Sequence, residues 1–251
     1  MKKYKFTGET KTIDLPFGTV TLHRIKAVVE FGLVKVGDLG GWIEKEENLS
    51  HEENAWVCGD AMVYDNAWVY GDAEVYGNAM VYGNAKVYGD AEVYGNAKVY
   101  DNTWVYDNAW VYGNAKVYDN AEVYGDAWVC GNAKVYGNAE VYGDAWVYGD
   151  AWVCGNAKVF STDHVLVIGA IGSRNDFTTF FRDKDNEITV KCGCFLGKID
   201  KFLEKVTQTH KDTKHALVYR AAVEVAKLQI DLTEKVQGDE KVNGKSKIKI
   251  Y

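Results

Sequence analysis

Proline is nearly missing from this chain: there is one in 251 residues, beside 25 glycines. Ordinary loop-rich domains use both residues, so glycine that recurs at a fixed interval points to repetition and not to disorder. The five cysteines are an odd number, and three of them stand where the repeat otherwise has Tyr or Phe. They make no disulfide framework, and reduced thiols suit a cytoplasmic protein. No apolar run approaches the eighteen or so residues of a membrane span, and the opening MKKYKFTGETK lacks the apolar core of a secretion signal. Positive charge is also scarce where the chain is most regular. Residues 54–161 hold 5 Lys+Arg against 14 Asp+Glu, whereas residues 1–53 hold 8 against 9 and residues 162–251 hold 16 against 13. A body this acidic argues against binding nucleic acid, which draws its affinity from clustered Lys and Arg.

What is present is a six-residue word. From Asn54 to Ser161 the chain divides into eighteen hexads without an insertion: Asn or Asp, then Ala (Thr at 103), a variable residue, Val, most often Tyr, and usually Gly or Asp. A helix needs apolar residues three and four apart, but Val recurs strictly at every sixth position, between bulky neighbours that favour extended backbone. Each hexad therefore reads as a short strand followed by a corner. Gly, or Asp at 65, 101, 107 and 119, tolerates the positive φ of a sharp corner. Three such corners close a triangle.

Val57 followed four residues later by Ala61, then Val63 and Ala67, resembles the hexapeptide repeat of left-handed parallel β-helices. The resemblance implies eighteen residues per coil, about six coils, and left-handed crossovers that depart from the usual right-handed rule. With roughly 4.8 Å per coil the prism would be about 29 Å long. The segment LHRIKA…FG…GDLGGWIEKEENLS ahead of NAWVCGDAMV is also similar to the start of hexapeptide-repeat proteins of bacterial and bacteriophage genomes, often labelled transferases. The expected architecture is mainly β: an N-terminal β cap of short strands with a degenerate first coil over 1–53, the β-helix over 54–161, and an α+β domain over 162–251. In the last of these, DHVLVIGAIG, FTTFF and EITVKCGCF read as three strands, and KIDKFLEKVTQTH and KHALVYRAAVEVAKLQI as two amphipathic helices.

Proteins of the hexapeptide-repeat family are most familiar as acyltransferases, in which a histidine acts as general base on the acceptor and acyl-CoA lies between neighbouring subunits. That chemistry needs an imidazole near neutral pKa in reach of the acceptor. The eighteen hexads contain no histidine and no inserted acceptor loop; His51 stands at the entry of the prism and His164 at its exit. Cys192 and Cys194, two apart on a predicted strand, could join His210 and His215 around zinc, but the spacing matches no zinc signature, and buried thiols with surface histidines are the simpler reading. No metal or cofactor is expected. GAIGSRND follows a strand yet lacks the glycine spacing of nucleotide-binding loops, so an ordinary turn is the simpler reading there, with Ser173, Arg174 and Asn175 as the first candidates for an anion site.

Because Val points inward, the variable residue before it points outward, and the eighteen-residue register assigns each to one of three faces. One face carries Trp56, Glu74, Glu92, Trp110, Trp128 and Trp146, with Tyr112 and Tyr148 alongside. The second carries Met62, Met80, Lys98, Lys116, Lys134 and Trp152; the third carries Trp68, Lys86, Trp104, Glu122, Glu140 and Lys158. Stacked aromatics stabilise neighbouring strands, but they also form the kind of patch that monomers seldom leave open. A stacked lysine column is unfavourable unless something neutralises it, and in a parallel three-fold arrangement one chain's lysine face could meet its neighbour's glutamate face; a solvated charge pattern is the plainer alternative. The asparagines at 66, 84, 102, 120, 138 and 156 form one column suited to an amide ladder. These features lead to a noncatalytic scaffold or binding protein, a homotrimer, with its partner unnamed and a phage origin implied by resemblance. An acyltransferase-like enzyme using acyl-CoA is one alternative. A phage inhibitor that binds a host defence protein or its small-molecule signal is another.

Overall fold

A computed structural model describes residues 2–16 and 18–233. The chain opens with a hairpin, β1 (Tyr4–Leu15) and β2 (Gly18–Ala27), followed by β3 (Leu39–Ile43). The hairpin strands are 12 and 10 residues long, so the expected short strands are in fact one long antiparallel ribbon, irregular between Phe6 and Thr10. β3 pairs antiparallel with β2 on one side and, on the other, parallel with the first coil, Trp42 beside Met62 and Ile43 beside Val63. It is a true leading turn of the prism. Gly40 and Gly41 make this possible: a Cβ on Gly40 would stand 2.4 Å from the Ile25 side chain, and one on Gly41 would stand 2.7 Å from the Ala61 carbonyl.

Eighteen two-residue strands follow, from β4 (Trp56–Val57) to β21 (Lys158–Val159), one per hexad. They stack in three parallel sheets, every strand beside the one eighteen residues on, as in Val57 with Val75 and Val141 with Val159. Backbone amides bridge coil to coil, for example Trp56 N–H to the Ala73 carbonyl at 3.0 Å. The inward Val and Ala are sealed from solvent, and they form one continuous core. The exception to Ala, Thr103, is equally buried, and its hydroxyl donates to the Tyr100 carbonyl at 2.8 Å, so this hydroxyl is not left unpaired in the core. The four corner aspartates have φ between 57° and 63°. Three of them also tie coils together, since the carboxylates of Asp65, Asp101 and Asp119 accept the backbone N–H of Gly83, Asp119 and Gly137.

The open ends are plugged by different means. At the first coil, Tyr4 is buried with its hydroxyl on the Leu49 carbonyl at 2.8 Å, and the Lys3 ammonium donates to the carbonyls of Glu52, Glu53 and Ala55. At the last coil the C-terminal sheet does the work. It comprises β22 (Val165–Ile171), β23 (Asp176–Arg182), β24 (Ile188–Cys192) and β25 (Phe195–Lys198), all antiparallel. Phe181 of β23 belongs to the core of the prism, while Phe180 beside it faces a second core with α1 (Ile199–His210) and α2 (Lys214–Gln229). Alternation along one strand thus serves two cores at once. The sheet has four strands and not the expected three: the run read as one strand is a hairpin that turns at Gly193, where φ is 55°.

Candidate binding faces and cavities

The register places the outer residues as the hexads imply, except at Trp56, which the N-terminal cap covers with Tyr4 and Phe31 and leaves only 6% exposed. Trp110, Trp128 and Trp146 stack with ring centroids 4.9 and 4.7 Å apart and planes within 7°. Tyr94 and Tyr112 stand edge-on to this stack. The stack covers much of Trp110 and Trp128, but Trp146 remains 46% and Tyr148 58% exposed at its C-terminal end. Tyrosine columns run along the corners at the same spacing, for instance Tyr82 over Tyr100 at 4.9 Å. These regular stacks follow from in-register parallel pairing, because the repeat spacing of strands is also a comfortable ring separation.

The charged columns behave in opposite ways. The glutamates are held by tyrosines of their own chain: Tyr76 donates to Glu92 at 2.7 Å, Tyr106 to Glu122 at 3.3 Å and Tyr124 to Glu140 at 3.5 Å. Lys158 also pairs with Glu140. Burial, reinforced by Glu140, pushes the Glu122 carboxyl up from its usual range. Lys98, Lys116 and Lys134 lie in register one above another and make no ion pair among the described residues. The Lys134 ammonium sits 3.9 Å from the centre of the Trp152 ring, and Lys191 approaches the same ring at 5.3 Å. Burial, with Lys116 and Lys191 close by, holds the Lys134 ammonium below its ordinary range. Lys134, Trp152 and Lys191 line a cleft of about 330 Å³ between the last coils and the C-terminal sheet, but Asp150 and Asp176 line it too.

The asparagine ladder is present from Asn66 through Asn84, Asn102 and Asn120 to Asn138, each side-chain amide donating to the next. A second ladder, which the sequence reading missed, runs from Asn78 through Asn96, Asn114 and Asn132 to Asp150. The same eighteen-residue spacing would have found it.

Both histidines at the prism ends are engaged in packing. His164 is fully buried; its Nδ1 accepts from the Phe160 N–H and its Nε2 lies 3.1 Å from the Arg182 guanidinium. Burial, aided by the Arg182 charge, pushes its pKa down to about 4. His51 stacks on Tyr4 at 4.2 Å, and its Nδ1 accepts from the Lys3 N–H. Burial lowers its pKa as well.

In the C-terminal unit, Ser173 and Arg174 line a cavity of about 360 Å³, together with Cys192, Cys194, Phe195, Phe202, Lys205, His210 and Tyr219. Asn175, with φ of 51°, shapes the preceding turn and does not line the cavity. Cys194 lies in the β24–β25 turn and is exposed, whereas Cys192 is half-buried on β24 and accepts from the Thr178 hydroxyl; both line the cavity, but they are not on one strand as expected. No group of three or more His, Cys, Asp or Glu among the described residues is arranged to hold a metal. No helix among them is long and apolar enough to cross a membrane.

Comparison with known families bears on the prism alone. Residues 55–71, 73–89 and 133–149 match the family described as YdcK Beta solenoid repeat. The chain is a repeat-type β-solenoid protein. The matched stretches fall within the hexads, and the solenoid they belong to winds about seven turns once β3 is included. No curated protein matches the chain.

Proposed function

We propose that this solenoid is a noncatalytic binding scaffold that assembles through its flat faces, three chains side by side. The Trp110–Trp128–Trp146 stack carries the reading: a rigid aromatic strip ends in the open Trp146 and Tyr148, and aromatic residues are enriched where protein surfaces meet. Lysine-to-glutamate pairing between chains contributes less than the sequence pattern suggests, because tyrosines already satisfy the glutamates. Acyl transfer draws no support from the ends of the solenoid, where one histidine is buried and the other is stacked and half-buried. The likeness to proteins of phage genomes makes a host protein the natural external partner in this reading. Sedimentation in moderate salt tests the assembly. The parent should run near three times the 28.1 kDa chain mass, and Trp128→Glu with Lys116→Glu should dissociate it. A parent that stays monomeric at micromolar concentration overturns the proposal.

A further inference from the structure

The cavity of the C-terminal unit combines an apolar floor with a basic rim. Its floor is apolar, built from Phe202, Val206 and Tyr219, each 4% exposed, with Phe195 at the side. Its rim is basic, with Arg174 from the β22–β23 turn and Lys205 and His210 from α1. No Asp or Glu lines it, in contrast to the junction cleft, where Asp150 and Asp176 offset the two lysines. Arg174, Lys205 and His210 form no ion pair among the described residues. Nearby like charges without a counter-ion cost free energy, and an anion seated between them recovers it.

The absence of a side chain at Gly193 leaves room for the Arg174 guanidinium beside the cavity. Arg174 lies across Gly193, where an added Cβ would stand 2.2 Å from its Nη1. The turn that splits the expected single strand into β24 and β25 therefore also provides the seat for Arg174. Tyr219 closes the other side and crowds Gly172 in the same way. At about 360 Å³ the cavity lies near the lower end of ligand-binding pockets, roughly 300–1,000 Å³, which fits one ring system and not a long chain.

We propose that this cavity binds a small amphipathic anion, with a flat apolar body against Phe195, Phe202 and Tyr219 and a carboxylate or phosphate held by Arg174 and Lys205. The site is separate from the solenoid faces, and neither proposal depends on the other. Calorimetric titration of the full chain with indole-3-acetate, and with its neutral analogue indole-3-acetamide, tests both halves of the idea. The acid should saturate at one molecule per chain, and the amide should bind about tenfold more weakly or worse, as loss of a charge-assisted contact implies. Arg174→Gln with Lys205→Gln, both exposed positions, should leave the melting temperature unchanged and weaken the acid by a similar factor. Lys5→Gln on the exposed side of the N-terminal hairpin should not. Bound acid should also slow alkylation of Cys194, the exposed thiol at the cavity. Absence of saturation, equal binding of acid and amide, an unaffected double variant, equal weakening by Lys5→Gln, or an unprotected Cys194 would each overturn the assignment.

Discussion

The solenoid and the C-terminal unit build their cores in opposite ways. In the solenoid one small vocabulary, Val and Ala, is repeated in coils that meet only their neighbours, and every strand pair from β4 to β21 has the same eighteen-residue offset. In the C-terminal unit the core is made of unlike pieces, Phe180, Val190, Phe202, Tyr219 and Val223, drawn from sheet and helices with no common spacing. A repeated core is redundant in design but unforgiving of polarity, because its narrow interior has no room to rearrange. A core of unlike parts tolerates less repetition, yet it can leave a cavity and bury charged groups.

The largest effect expected from this contrast is Val105→Asp, which places an unpaired carboxylate in the solenoid interior and should cost roughly 5 kcal/mol or more. Thermal or urea unfolding measures it, and a variant that melts like the parent would mean that the inside has been assigned wrongly. Next comes Phe181→Ala, which removes the plug where the two regions meet and should cost about 3–5 kcal/mol. Its sharper readout is hydrogen exchange: the last coils should lose protection while the first coils keep it. Uniform loss along the solenoid would show that the ends are more tightly coupled than nearest-neighbour stacking allows.

A smaller effect belongs to the exit of the solenoid, where the two regions meet. His164 titrates near 4 when folded and near 6.5 when unfolded, so below 6.5 the unfolded chain binds the proton first. Its contribution is complete above pH 6.5 and is lost as the pH falls toward 4, to at most about 3 kcal/mol. Stability measured over that window should slope downward with acid, and His164→Asn should flatten the slope; an unchanged slope would assign the acid sensitivity elsewhere. The smallest effect is expected in the ladder. Asn102→Ala deletes one exposed rung, with neighbours above and below intact, and should cost about 0.5–1 kcal/mol by urea melting. A loss several times larger would reveal cooperativity along the column.

The hexads alone determined the coils, their register, the buried Val and Ala, the residues on each face and the first asparagine ladder. Each of these depends only on a fixed offset, so counting along the chain locates every contact. The helices of the C-terminal unit were also legible, because their apolar spacing is local. Only the tertiary structure decided what contacts no period encodes. Glu92, Glu122 and Glu140 receive tyrosine hydroxyls from sixteen residues earlier; the repeat fixes that offset, but the reach and rotamer of each side chain decide that the hydroxyl donates there. Tyr4, Lys3 and Phe181 plug the ends because an exposed coil section needs a cover, whichever segment lies nearest. Ser173 and Arg174 stood out in the sequence, but Lys205, His210 and Tyr219 joined them only when α1 and α2 packed on the sheet. Turns and helices far apart along the chain converge there through burial of a common core, and that convergence depends on the whole packing of the unit at once.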